Sequence, residues 1–249
     1  MPAVSAVILA QNEEGRIADA VASVRSWVDE VLVVDGGSTD RTCAIARAEG
    51  ARVEHRPFDG FVTSKAAATG MAAHDLVFSL DADERADRDL GLAIRLAVEQ
   101  DVAHDAWRVR RLNYLDGAAL RASGWYPDRR VRLFDRRRSR WTGRDPHDLV
   151  VCDGVVGDLG GHLHHDPART TEAYIAATDA HARRAAAAML AAGVEVGPLA
   201  PYLHGGAHLV RKTIGGRCWL DGRRGWTVAL TGARGAARKY RLAREEAAS

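Results

Sequence analysis

The apolar run 76–80 passes without a break into Asp81-Ala82-Asp83-Glu84. Its length and composition fit a buried strand, and a buried strand cannot continue through a row of carboxylates, because desolvating unpaired charges costs too much. The acids must emerge at an edge or a cleft. Two earlier runs end the same way: 4–9 stops at Gln11-Asn12-Glu13-Glu14, and 31–34 stops at Asp35-Gly36-Gly37-Ser38-Thr39-Asp40. Between them, 13–27 carries Ile17, Val21, Val24 and Trp27 at helical spacing, and a second helix is expected after a cap at Ser38 or Thr39, ending at Gly50. With a third short strand at 51–55, the order is strand, helix, strand, helix, strand. That order predicts an α/β chain with a mostly parallel sheet flanked by helices, in which ligands gather at the carboxyl ends of the strands.

Further along, the pattern predicts helices at 65–73, 90–98, about 171–192 and 236–246, with strands at 106–112 and, in part, at 131–134. The expected division is an α/β core over 1–100, an acceptor-side region over 101–204 and a basic segment over 205–249. The 249 residues suffice for a sizeable core. The formal charge of +2 argues against a polyelectrolyte binder, but it is uneven, with +7 from Gly205 onwards. Cys43, Cys152 and Cys218 form no CxxC, which fits a reduced, cytoplasmic protein. No leader pattern and no run of 18 apolar residues stands in the sequence, so membrane association is expected to be peripheral.

Asp81 and Asp83 are the sharpest chemical signal. At a strand end both carboxylates can meet one divalent cation, or one can hold a ribose hydroxyl; a solvated acidic turn is the alternative. Asp35 can accept a hydrogen bond from a nucleobase, with Gly36 and Gly37 allowing close backbone approach. A dinucleotide fold of the GxGxxG type is excluded, since Gln11-Asn12-Glu13-Glu14-Gly15 fills the place where the glycines belong.

These motifs together resemble family 2 glycosyltransferases of the GT-A fold, and among them the lipopolysaccharide core β-1,4-glucosyltransferase subgroup. The resemblance is carried by Ala10-Gln11-Asn12-Glu13-Glu14, by 27–35 with Gly37-Ser38-Thr39-Asp40, by Gly60-Phe61 with Ser64-Lys65, and by Leu80-Asp81-Ala82-Asp83-Glu84. Gly124-Trp125-Tyr126-Pro127-Asp128, Arg132-Leu133-Phe134 and Leu220-Asp221-Gly222-Arg223-Arg224-Gly225 extend it over most of the chain. One departure is Ala66, where the family usually has Asn.

The resemblance implies a Rossmann-like GT-A core with an acceptor-side C-terminal lobe, and transfer of a sugar from a nucleoside diphosphate, UDP first, to a hydroxyl with inversion. Ala10, Asn12, Glu13, Asp35, Lys65, Asp81, Ala82 and Asp83 are then the nucleotide-sugar residues. Asp81, Asp83 and His165 are the implied ligands of Mg²⁺ or Mn²⁺. Asp148, in Pro146-His147-Asp148, takes the place of the family's general base, with Asp145 as its competitor. Arg129, Arg130 and Arg132 are the acceptor-side candidates, and their arginines suit phosphate or anionic sugars. Nucleic acid is not an expected partner. Acceptors on a polysaccharide core, a polyprenyl phosphate or a small metabolite all stay open, as does a non-catalytic nucleotide-sugar-binding protein. The basic end, with Trp219, Trp226 and Tyr240, is expected either to meet an anionic membrane face or to pack under the core.

Overall fold

The computed structural model describes residues 2–100, 104–144 and 147–247, and the chain divides into two compact units. The first comprises Met1–Arg111 and Asp128–His165; the second comprises Leu112–Pro127 and Asp166–Ser249. This differs from the three consecutive regions expected: the arginine-rich stretch joins the N-terminal core, while 112–127 joins the C-terminal helices.

In the first unit, β1 (Val4–Ala10), β2 (Glu30–Asp35), β3 (Arg52–His55) and β4 (Leu76–Asp81) run parallel in the order β3-β2-β1-β4. The register sets Ala10 opposite Asp35 and Leu9 opposite Asp81, so the three motif-bearing strands end side by side. β1 and β2 are buried nearly throughout, as a sheet covered on both faces requires. Helix α1 (Ile17–Val24) covers one face with Ile17, Ala20, Val21 and Val24. It is shorter than the apolar spacing over 13–27 predicts. Helix α2 (Thr42–Ala48) starts after Arg41 rather than at Ser38 or Thr39, and Asp40 accepts the Thr42 N–H at 2.9 Å.

Past α3 (Phe61–Gly70), β5 (Glu84–Ala86) and α4 (Arg88–Glu99), the sheet continues through antiparallel partners. β8 (Asp128–Asp135) lies between β4 and β6 (Ala106–Leu115), which is also paired by the short β11 (Val156–Asp158). β12 (Leu163–His165) pairs β5 and sets His165 opposite Glu84. A separate hairpin, β9 (Ser139–Arg144) with β10 (His147–Cys152), carries Asp148. The result is a mixed, mostly parallel α/β architecture of the GT-A kind.

The second unit holds the hairpin of the β6 end with β7 (Ala118–Ala119) and the helices α5 (Thr171–Ala191), α6 (Ala200–Val210) and α7 (Gly222–Ala247). Here 121–123 and Asp221, far apart in sequence, are tied together. Asp221 accepts the N–H groups of Arg121 and Ala122 and the Ser123 hydroxyl, the last at 2.7 Å, and Lys212 donates to the Ser123 carbonyl at 2.7 Å. A Cβ on Gly225 would run into the Cys218 carbonyl, so only glycine fits there. Trp219 and Trp226 stay about half exposed, and Leu220 is exposed, so these residues are not buried cover. No helix among the described residues is long and apolar enough to cross a membrane.

Candidate active site

At the end of β4, Asp81 sits between two cations. Its Oδ1 lies 2.6 Å from Lys65 Nζ on α3, and its Oδ2 accepts from Arg132 Nη2 on β8 at 2.8 Å. Lys65 is buried and also reaches Asp148 Oδ2 on β10 at 2.9 Å, so one ammonium joins the strand-end acid to the hairpin acid. Burial alone would raise the Asp81 pKa; Arg132 and Lys65 instead hold it far below the ordinary carboxylate range.

Glu84 does not emerge with its neighbours as the sequence predicts. It is fully buried, accepts the Asp81 N–H at 3.0 Å, and pairs with Arg132 at 2.7 Å and Arg111 at 3.3 Å. Two cations make that burial tolerable. Arg132 is correspondingly buried, and its carboxylate neighbours push its pKa further up against the effect of burial. It holds the acids in place, in contrast to the more exposed Arg129 and Arg130.

The three histidines near β12 divide. His165 Nε2 stands 3.5 Å from Asp83 Oδ2, and although burial opposes it, His165 keeps Asp83 below its ordinary pKa. His162 and His164 face Asp87 instead, at 3.4 and 3.8 Å. Asp87 caps α4 by accepting the Leu90 N–H at 2.7 Å and accepts the His162 N–H at 2.9 Å. Gly161 makes this approach possible: φ is +75°, and a Cβ there would strike the Leu90 backbone.

Asp81, Asp83 and His165, the three residues expected at a cation, differ in what they face. Both Asp81 oxygens face cations, while Asp83 and His165 face one another. Among the described residues, the group of three potential ligands whose atoms lie within 4.8 Å of one another is Asp35, Cys43 and His55.

Asp35 is buried, and its carboxylate accepts from the Gly37 and Ser38 N–H groups at 3.1 Å and contacts His55 Nδ1 at 3.1 Å. These hydrogen bonds outweigh burial and lower its pKa. These contacts fix the turn, and His55 is the exposed member of the pair. Asn12 likewise ties loops together. Its N–H donates to Ser38 Oγ at 2.8 Å and its Oδ1 accepts the Thr39 N–H at 2.9 Å.

Two cavities meet at Asp81. One, of about 360 Å³, is lined by Ala10, Glu13, Ala82, Asp83 and His165 together with Leu9, Gln11, Phe58 and Phe61. The other, of about 310 Å³, holds Lys65, Asp148 and Trp141 among arginines of β6 and β8. Asp81 lines both. Asn12 and Asp35 line neither. Phe58 and Phe61, edge to face at 5.0 Å, give the first cavity an aromatic wall, of which the sequence signalled only Phe61, beside Gly60. Asp145 lies outside the described residues.

The family model described as "Glycosyl transferase family 2" matches residues 5–153. An uncharacterized glycosyltransferase of Rickettsia typhi is 44% identical over 165 residues, 64% of this chain and 56% of that protein. The lipopolysaccharide core biosynthesis glycosyltransferase LpsC of Rhizobium meliloti is 31% identical over 173 residues, 66% of this chain and 63% of that one. These matches span less than two thirds of either relative. Among solved structures, glucosyl-3-phosphoglycerate synthase from Mycobacterium tuberculosis, in complex with Mn²⁺, UDP and glucosyl-3-phosphoglycerate, is 25% identical over 46% of this chain and 44% of that chain, with a TM-score of 0.36. So partial an overlap carries no weight for the ligands of this chain.

Proposed function

The chain belongs to glycosyl transferase family 2, and from that premise we propose that it transfers a sugar from a nucleoside diphosphate, UDP first, to an acceptor hydroxyl with inversion at the anomeric carbon. The observation that carries this reading is the meeting of the two cavities at Asp81. One side offers an aromatic wall and the acids at the strand ends; the other offers Asp148.

Nucleotide and sugar occupy the first cavity, against Ala10, Glu13 and Ala82, with Phe58 and Phe61 beside the base. UDP is favoured because the Asp35–Asp40 turn resembles the family's uracil site; Asp35 and Asn12 serve by holding that turn. Asp83 and His165 supply one hard oxygen and one imidazole nitrogen, a donor pair that fits Mg²⁺ or Mn²⁺ with further oxygens from the diphosphate. Such a cation neutralises charge on the departing diphosphate. Asp81, held by Lys65 and Arg132, faces the ribose and keeps the two cavities in register.

The acceptor enters on the side of Asp148. Its hydroxyl gives its proton to the Asp148 carboxylate, and its oxygen attacks the anomeric carbon opposite the leaving diphosphate. Lys65 orients that carboxylate through the 2.9 Å contact. Acceptor and donor then approach from different cavities, which is the geometry inversion needs.

Calorimetric titration with UDP in the presence of Mn²⁺, followed by UDP release from a panel of UDP-sugars, tests the proposal. Saturable, metal-dependent UDP binding with donor turnover supports it. No UDP binding overturns it, and binding without hydrolysis or transfer leaves a nucleotide-sugar-binding protein.

A further inference from the structure

The wall of the Asp148 cavity carries more positive charge than the proposed transfer uses. Lys65 and Arg132 are committed to the acids at its base, but Arg108 and Arg111 on β6 and Arg129 and Arg130 on β8 also line it. They are not paired one to one. Asp128 holds two of them, Arg111 at 2.6 Å and Arg130 at 2.8 Å. Asp158 holds the other two, Arg108 at 2.9 Å and Arg129 at 3.4 Å. Against burial, Arg111 and Arg130 keep Asp128 below the ordinary carboxylate range, so it is ionised at neutral pH.

Counting the acids at the base with those of the wall, six cations face Asp81, Asp148, Glu84, Asp128 and Asp158, a formal surplus of one positive charge. Arg111 leans in addition on Glu84, because Arg132 is divided between Glu84 and Asp81. Fold stability does not explain the exposed arginines of this wall. The exposed pairs of Asp158 with Arg108 and Arg129 contribute roughly 0–1 kcal/mol each, and crowding like charges on paired strands is unfavourable; Arg110 and Arg129 stand directly opposite in the ladder. The shared carboxylates do something else: they fix the guanidinium planes while leaving donors over. Among the described residues, Arg130 contacts Asp128 through Nε alone and Arg129 contacts Asp158 through one Nη. Arg108, Arg129 and Arg130 are each nearly half exposed, so their remaining N–H groups are open to a ligand.

We propose that this wall binds a phosphate group of the acceptor, so that the acceptor class is a phosphorylated molecule whose free hydroxyl is presented to Asp148. A phosphate monoester carries about −1.5 to −2 at neutral pH and offers three strong acceptor oxygens to several guanidinium groups at once, where a carboxylate offers two. Guanidinium forks held in place suit its oxygens bidentately. A cavity of about 310 Å³ shared by the arginines and Asp148 puts anion and reacting hydroxyl within one small ligand. This inference rests on the preceding reading only in placing the acceptor on the Asp148 side.

The test is a titration of the full chain with inorganic phosphate, by calorimetry or ³¹P line broadening, with UDP and Mg²⁺ at saturation so that the diphosphate site is filled. The wild type is expected to bind phosphate saturably and acetate at least tenfold more weakly. Arg129→Ala with Arg130→Ala should lower phosphate affinity at least tenfold while UDP affinity and melting temperature hold, and the double lysine variant should fall between. Asp158→Asn, which removes a neutralising charge, should tighten phosphate a few-fold and covers the case of an arginine variant that does not fold. Phosphate binding that does not saturate, is equalled by acetate, or is unchanged in the variants overturns the assignment. Should UDP itself not bind, the transfer reading fails while the phosphate titration, run without UDP, still decides this one.

Discussion

Replacing Lys65 by methionine removes one buried cation from between two carboxylates while filling much the same volume. Nζ lies 2.6 Å from Asp81 and 2.9 Å from Asp148. Deleting one partner of a buried pair costs about 3–5 kcal/mol, chiefly because the other charge is left without compensation. Arg132 still holds the second oxygen of Asp81, and Asp148 keeps some exposure to water, so the lower end applies. A loss of about 3 kcal/mol is expected, roughly a hundredfold in the folding equilibrium. Urea unfolding gives the loss, and a double-mutant cycle with Asp148→Asn should return a coupling of about 0.5–3 kcal/mol. The pH dependence is a second readout. Asp81 has a lowered pKa in the fold, so its contribution is present above the unfolded value of 3.8 and is lost as pH falls toward the folded value. The variant, whose Asp81 relaxes upwards, should lose stability less steeply below about pH 4. A loss under about 1 kcal/mol with no coupling would refute the bridge.

Asp83→Ala should abolish most turnover at saturating donor and weaken the Mn²⁺ dependence of UDP binding, with circular dichroism unchanged; wild-type turnover in a folded variant counts against the assigned role. Gly161→Ala should destabilise by about 2 kcal/mol or more, since a left-handed residue acquires a Cβ that meets Leu90, and thermal unfolding reads this directly. In the second unit Tyr202, Leu203, Ile214 and Leu220 are exposed among Arg211, Arg217, Arg223 and Arg224. Each cation is worth about 1 kcal/mol near an anionic bilayer, so co-sedimentation with anionic but not neutral vesicles is expected, falling as salt rises. Reversing Arg211, Arg217 and Arg223 should abolish it. Arg238 is the poorer choice for reversal because it is tied to Asp179 at 2.7 Å.

The parallel core was legible because its strands are apolar runs that stop at turn chemistry, a pattern set by local composition alone. The position of Asp81 and Asp83 at the end of a strand was legible for the same reason. Long-range charge pairing was not. Nothing near Glu84 in sequence announces that Arg111 and Arg132, from two later strands, will neutralise it, so all three acids of 81–84 read as emerging from the strand when one is core. The same blindness hid the Lys65 bridge, whose partners lie far from it in sequence. Gly205 and Gly206 lower the helix propensity of 204–208, yet α6 forms there, with Gly205 seated against Ala237 of α7; packing overrides propensity.

The account turns on Asp148 acting on the acceptor side of Asp81. Asp148→Asn preserves volume and removes the base, so UDP release from the sugar donor that supports wild-type turnover should fall by about 10²–10⁴-fold while UDP affinity by calorimetry stays the same. Turnover kept at the wild-type level, or a loss of UDP affinity as large as the loss of turnover, would contradict it.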